Sequence, residues 1–302
     1  MREKIQKSSY LLTVVMTCLT LIAFAANSVL CRLALGDSNI DPAGFTAIRM
    51  ISGAFMLALI VLLSRKQRVA YQRFELRSVM SLKNTQGWIS SAMLFGYAVF
   101  FSFAYVRLDT ASGALILFAT VQLFMIGVGI VKGQHLTSKE WLGVMLSFAG
   151  FVYLMLPSAT QPSLVGFLLM LIAGVFWAFY SLLGRYAQQP VMLTAENFIR
   201  CIPIALICLW FSLFFYSLSW EGVWYAVASG AVASGLGYSL WYLVLTKITI
   251  TQAAISQLTV PLIAALGGVI FINEPVTTEL IISASLILFG IFLVSVKPKQ
   301  SD

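Results

Sequence analysis

Charge is scarce in this chain: 10% of the residues are Asp, Glu, Lys or Arg, where a soluble domain carries about 25%. There is one histidine, His135, and it falls in a connector where a solvated role is expected, not a buried one. The four cysteines, Cys18, Cys31, Cys201 and Cys208, lie in apolar runs without metal-ligand spacing, so they read as small packing residues and not as disulfides or ligands. No HExxH or GxSxG pattern and no cluster of histidines and aspartates is present, which removes the usual routes to an integral-membrane enzyme. No catalytic residue, metal or cofactor is expected. Polar sequence is confined to short connectors and one longer loop, leaving no room for a separate soluble catalytic domain.

What fills the chain is apolar: 60% hydrophobic residues and a mean hydropathy of +0.93. This is the composition of a membrane protein, and its function resides within the bilayer or at its faces. The net charge of +8 collects in connectors, as cytoplasmic Lys/Arg bias requires, so no nucleic-acid partner follows from it. The N-terminus, MREKIQKSSYLLTVV, has the basic flank of a signal peptide. Its apolar stretch outruns a signal core of about 7–15 residues and shows no convincing cleavage site, so it is taken as the first span.

A span needs about 20 mostly apolar residues. That measure gives ten segments: Tyr10 to Leu33, Ala43 to Leu63, Gly87 to Val106, Thr110 to Val131, Lys139 to Leu156, Ser163 to Ala187, Met192 to Tyr216, Gly222 to Thr246, Thr249 to Ile272, and Thr277 to Val296. The second connector carries Arg65, Lys66, Arg68, Arg73, Arg77 and Lys83, whereas the first carries Asp37 and Asp41 and no base. That contrast puts the N-terminus inside, and an even number of spans returns the C-terminus to the same side.

The stretch Thr251 to Glu274 has an echo in Ala111 to Gln134: laid on one another, they align Gly267 with Gly127, Thr277 with Thr137, and Gly290 with Gly150. AIR at Ala47 to Arg49 matches FIR at Phe198 to Arg200, and LCR at Leu30 to Arg32 matches LGR at Leu183 to Arg185. Two units of five spans, residues 1–157 and 163–302, meet at the link PSATQP. Because five is odd, the second unit enters the membrane from the opposite side. The expected architecture is therefore all-α, ten transmembrane helices in two inverted-topology repeats, both termini cytoplasmic.

RLDTASGALI (Arg107 to Ile116) and KITITQAAISQLTVPLIAALGGVIFINEPVTTELIISASLILFGIFLV (Lys247 to Val294) carry a family resemblance. They are similar to the drug/metabolite transporter superfamily, and within it to the ten-span EamA-type exporters, over nearly the whole chain. The shared pattern is a short basic turn, a span with a central proline, a carboxylate at the next turn and a glycine late in the last span. Arg49 and Arg200 resemble the arginine common in the family's second and seventh spans. The first half departs from the pattern, with Val121 and Gln134 where the second has Pro261 and Glu274. The resemblance implies helices around a central cavity, alternating access, and export of small metabolites. It names no substrate.

Arg49 and Arg200 each lie several residues inside an apolar span, at similar depths from opposite faces, where a charge costs a few kcal/mol unless it meets a partner or a watery cavity. Either lines the cavity and attracts a carboxylate bidentately, or acts as a structural clamp. Arg200 has Glu196 one helical turn away for the second role, and Arg49 has no such local acid. Asn27, Thr120, Gln122, Gln252, Gln257 and Thr259 are either interhelical glue or substrate contacts. Tyr97, Phe101, Trp177, Tyr180, Tyr238 and Trp241 can form an amphipathic wall for an apolar or cationic solute. Pro261 coincides with the centre of the repeat and is the expected hinge. Proton coupling calls for a titratable group deep in the membrane; Glu196 near one end and Glu274 in a turn do not supply it, which favours facilitated movement or exchange.

The expected function is transport of small organic metabolites, amino acids or related carboxylate-bearing solutes, outward across the inner (plasma) membrane. The partners are that solute and the lipid bilayer. Efflux of drugs or organic cations on the same fold is the alternative, and a non-transporting membrane scaffold is a further one. The sequence says nothing of oligomeric state.

Overall fold

A computed structural model describes residues 2–36, 38–63, 80, 84–133, 135–156, 162–184, 187, 189–216, 218–245, 247–248 and 256–295. Among the described residues there is no strand. The helices are α1 (Arg2–Gly36), α2 (Pro42–Leu63), α3 (Thr85–Tyr105), α4 (Thr110–Val131), α5 (Ser138–Leu154), α6 (Leu164–Gly184), α7 (Pro190–Phe215), α8 (Trp220–Leu245), α9 (Val260–Ile272) and α10 (Thr278–Ser295).

In chains this apolar, it is the short polar residues that punctuate the helices. Asn84 accepts from the Gly87 amide to start α3, Ser219 from Gly222 to start α8, and Asp41 from Ala43 and Gly44 to start α2. Thr137 and Glu140 cap α5 reciprocally. Each such bond satisfies amides that lipid would leave bare. At the far end of α9, Asn273 turns the chain in the left-handed region, φ 58°, and the Glu274 amide donates to the Gly268 carbonyl at 3.1 Å.

Seven of these helices, α1 from Leu11 onward, α2, α3, α4, α6, α7 and α8, are long and apolar enough to cross a membrane. The other three fall where spans were expected but are shorter in apolar length. Ser138, Lys139 and Glu140 spend the first turn of α5 on polar residues. The 13 residues of α9 reach about 20 Å, against a hydrocarbon core of about 30 Å. A turn at Leu258 and Thr259 precedes it, and residues 249–255 lie outside the described residues.

The helices pair in a pattern that repeats. α2 packs on α7, α4 on α9, and α5 on α10; α3 packs on α6 as α8 does on α1, and α4 packs on α6 as α9 does on α1. Small residues make these approaches possible. Gly143 and Gly290 face one another across α5 and α10, where a Cβ on either would strike the other's carbonyl, and Gly53 of α2 receives the Phe198 ring of α7. Gly127, in contrast, meets nothing.

Candidate functional site

The middle of the bundle is organised by a charge on α2. The Arg49 side chain is fully buried, with its guanidinium carbon 5.0 Å from the Phe101 ring centroid and 5.3 Å from that of Tyr97. Its Nη2 donates to the Tyr97 hydroxyl at 3.2 Å and its Nε to the Ser234 hydroxyl at 3.4 Å. Nη1 has no partner, and no described carboxylate lies within ion-pair distance. Ring faces offset part of the desolvation of such a cation, but a buried guanidinium without an anion remains expensive.

The Tyr97 hydroxyl also accepts from Asn27 Nδ2 at 3.3 Å, and Asn27 Oδ1 takes the Ser229 hydroxyl at 2.5 Å. One network thus joins α1, α2, α3 and α8. Beside it lies a small cavity lined by Phe24, Asn27, Tyr97, Phe101, Trp177 and Tyr238, too narrow to seat a metabolite without a wall moving. The rings stack on one another: Tyr97 to Trp177 at 4.7 Å and Trp177 to Tyr238 at 5.2 Å between centroids.

Ser229 and Ser234 reach this network because α8 changes winding. Residues Ser229–Leu236 form a π-helix between the α-helical pieces Trp220–Ala228 and Gly237–Leu245. Such segments are rare and recur at functional sites. The sequence SGAVASGL permits it: Gly230 lies so near the Arg49 carbonyl and the Ser52 hydroxyl that a Cβ would collide with both.

The two ends of α3 differ. Where it finishes, Arg32 Nε donates to Glu274 Oε1 at 3.2 Å and Arg32 Nη1 to the Tyr105 carbonyl at 3.1 Å, while Asp109 lies 3.6 Å from Arg32 Nη2. The Glu274 carboxylate accepts the Thr110 amide, at 2.9 and 3.1 Å to its two oxygens, and so caps α4. This end is fastened. Where α3 begins, an open vestibule lies between α3, α6 and α7, lined by Asn84, Gln86, Ser90, Gln189 and Glu196 among others. Arg200 lies just behind the wall, against Gly87, bonded to Glu196 at 3.0 Å and to Asn197 at 3.3 Å.

Residues 164–296 match the model of the EamA-like transporter family. The chain is 41% identical to an uncharacterized protein of Pseudomonas aeruginosa, over 93% of this chain and 94% of that one. The chain belongs to the EamA-like transporter family. It is similar, at 22% identity over 86% of its length and 89% of the relative's, to the uncharacterized transporter YoaV of Bacillus subtilis. An uncharacterized transporter of Archaeoglobus fulgidus is 29% identical over 70% of this chain and 77% of that one. A protein of known crystal structure shares the fold with a TM-score of 0.59, at 20% identity, over 91% of this chain and 96% of the other.

The EamA-like transporter is thus a multi-pass membrane protein, and its expected site residues fall into separate places. Asn27, Arg49, Tyr97, Phe101, Trp177 and Tyr238 come together in the central network and cavity. Trp241 stands edge-on to Phe24 at 5.7 Å and Tyr180 lies 5.5 Å from Trp177, so both back the wall. Arg200 is apart from them, in the clamp with Glu196 that the four-residue spacing anticipates. Thr120 donates to its own helix at Ile116 and packs on Gly174, and Gln122 is buried farther along α4. Gln257 is half-buried, Thr259 is exposed, and Gln252 lies outside the described residues. Pro261 is the second residue of α9, a position that tolerates proline, so the break in the chain precedes it at Leu258 and Thr259 and is not a kink within a helix. Ser229, Ser234, Phe24 and the Arg32 to Glu274 pair were not among the expected site residues. For the last two the available signal was that each is a lone charge at the end of an apolar run.

Proposed function

We propose that this EamA-like transporter spans the inner membrane ten times, as inverted halves 1–157 and 163–302 with both termini in the cytoplasm, and exports small carboxylate-bearing metabolites such as amino acids by alternating access. The matching helix pairs support the two halves, and the bases between α2 and α3 support the orientation. In that orientation the vestibule faces the cytoplasm and the Glu274 fastening faces outward.

The observation that carries the substrate class is Arg49: buried, held by a phenol and a hydroxyl, with Nη1 free and no acid beside it among the described residues. A guanidinium kept anion-free in a low-dielectric site will bind an incoming carboxylate strongly. The rings around it favour a solute with an apolar side chain. Those rings also favour organic cations, which is the second reading, but the fixed Arg49 charge opposes it.

Counterflow into proteoliposomes checks both. Labelled amino acids should accumulate with the wild-type protein and not with Arg49→Ala. Uptake of a lipophilic cation that survives or improves in Arg49→Ala, with no amino-acid flux in either protein, would instead establish the second reading.

A further inference from the structure

We infer that the vestibule is a second binding station, one that selects solutes carrying an ammonium group, with Glu196 as the residue that receives it. The inference rests on the reading of Arg49 as a carboxylate site and narrows it to zwitterions.

The argument is electrostatic. Among the described residues, the lining of the vestibule contains Asn84, Gln86, Ser90 and Gln189, all neutral hydrogen-bonding groups, and one charged side chain, Glu196. Glu196 spends Oε2 on Arg200 at 3.0 Å. Its side chain is 24% exposed while that of Arg200 is 0% exposed. The acid therefore faces the cavity and the base is sealed behind it, so a solute in the vestibule meets a carboxylate and amides. A plain carboxylate anion gains little there and is repelled by Glu196. An ammonium group gains a charge-assisted bond, and its own carboxylate finds amide donors on Asn84, Gln86 and Gln189. Deeper in the bundle the sign reverses at Arg49. A path that presents first an acid and then a base passes most easily a molecule bearing both charges.

Glu196 also neutralises Arg200, and the test must separate that structural duty from solute binding. Counterflow would be measured for alanine, leucine and phenylalanine, each against its deaminated acid: propanoate, 4-methylpentanoate and 3-phenylpropanoate. The proteins are the wild type, Glu196→Gln, and Glu196→Gln with Arg200→Gln, in which the buried charge is gone as well. We expect wild-type KM values lower by about tenfold for the amino acids, the size of one charge-assisted hydrogen bond. Both variants should lose that preference by raising the amino-acid KM while leaving kcat and the deaminated acids nearly unchanged. If the double variant regains the wild-type preference, Glu196 serves Arg200 alone and the inference is overturned, while the Arg49 reading stands on the loss of both solute classes in Arg49→Ala. If the wild type carries neither class, both fall.

Discussion

Arg32 and Glu274 stand 242 positions apart in the chain and 3.2 Å apart in the structure. The same carboxylate takes the first amide of α4, so one side chain fastens the end of α1, the start of α4 and the turn between α9 and α10. In the proposed orientation and alternating-access mechanism, a fastening on one side and a vestibule on the other would correspond to a transporter closed outward and open inward.

Removing the carboxylate should therefore free the outer end. With Glu274→Ala, which removes both acceptor oxygens, a cysteine at the buried Leu108 position in the turn before α4 is expected to react faster with a membrane-impermeant thiol reagent, by several-fold relative to a cysteine at exposed Trp220. Arg32→Gln should act in the same direction. Unchanged labelling in both would show that the pair fastens nothing.

The same closure depends on pH with a definite sign. Burial pushes the Glu274 carboxyl above its ordinary value, against the bonds from Thr110; the Asp109 charge adds to the rise and Arg32 opposes it. Tyr105 is the other titratable group that faces it. A carboxyl that holds its proton more tightly when the end is closed favours closure fully below its solvent value, and that advantage is lost as pH rises through the raised value. Labelling at position 108, referred to the exposed control, should increase as external pH rises through the carboxylate range and above, and should be flat in Glu274→Gln.

Arg49 should be a site where function is held at a cost in stability. It bonds two hydroxyls but faces no anion, so replacing it by a nonpolar side chain of similar length removes an unneutralised buried charge. Arg49→Met is expected to melt at a temperature equal to or above the wild type in detergent while losing counterflow. Arg200→Met should melt lower, because it strands Glu196 and Asn197, at about 1–3 kcal/mol. A drop for Arg49→Met as large as for Arg200→Met would contradict this.

Close packing at small residues predicts a further loss. Gly290→Leu must displace the α5 backbone at Gly143, and overpacking of this kind costs about 1–3 kcal/mol or more. Gly127→Leu, where nothing is met, should be neutral in the same melting measurement.

What the sequence showed follows from the range of the interactions involved. Arg49 and Arg200 were visible because a base in an apolar run is anomalous by itself, and the Glu196 clamp was visible because its partner lies one turn away. Asn27, Tyr97, Trp177 and Tyr238 were expected as cavity residues from their polar and aromatic type, but their convergence on Arg49 belongs to helices far apart in the chain. The Arg32 to Glu274 pair was hidden for the same reason. The π-segment of α8 left only a run of small residues, because a change of winding alters hydrogen-bond register without altering composition. The expected ninth span, Thr249 to Ile272, starts among residues outside the described ones and runs on through the turn at Leu258 and Thr259 that precedes α9, because the apolar run carries no glycine to mark that turn.

The most direct measurement is equilibrium binding of leucine against leucine amide to the purified wild type, Arg49→Lys and Arg49→Ala. The account predicts that the wild type prefers the carboxylate by about tenfold or more, that Arg49→Lys retains part of the preference, and that Arg49→Ala loses it. Equal affinity of the wild type for the acid and the amide, or an undiminished preference in Arg49→Ala, would contradict it.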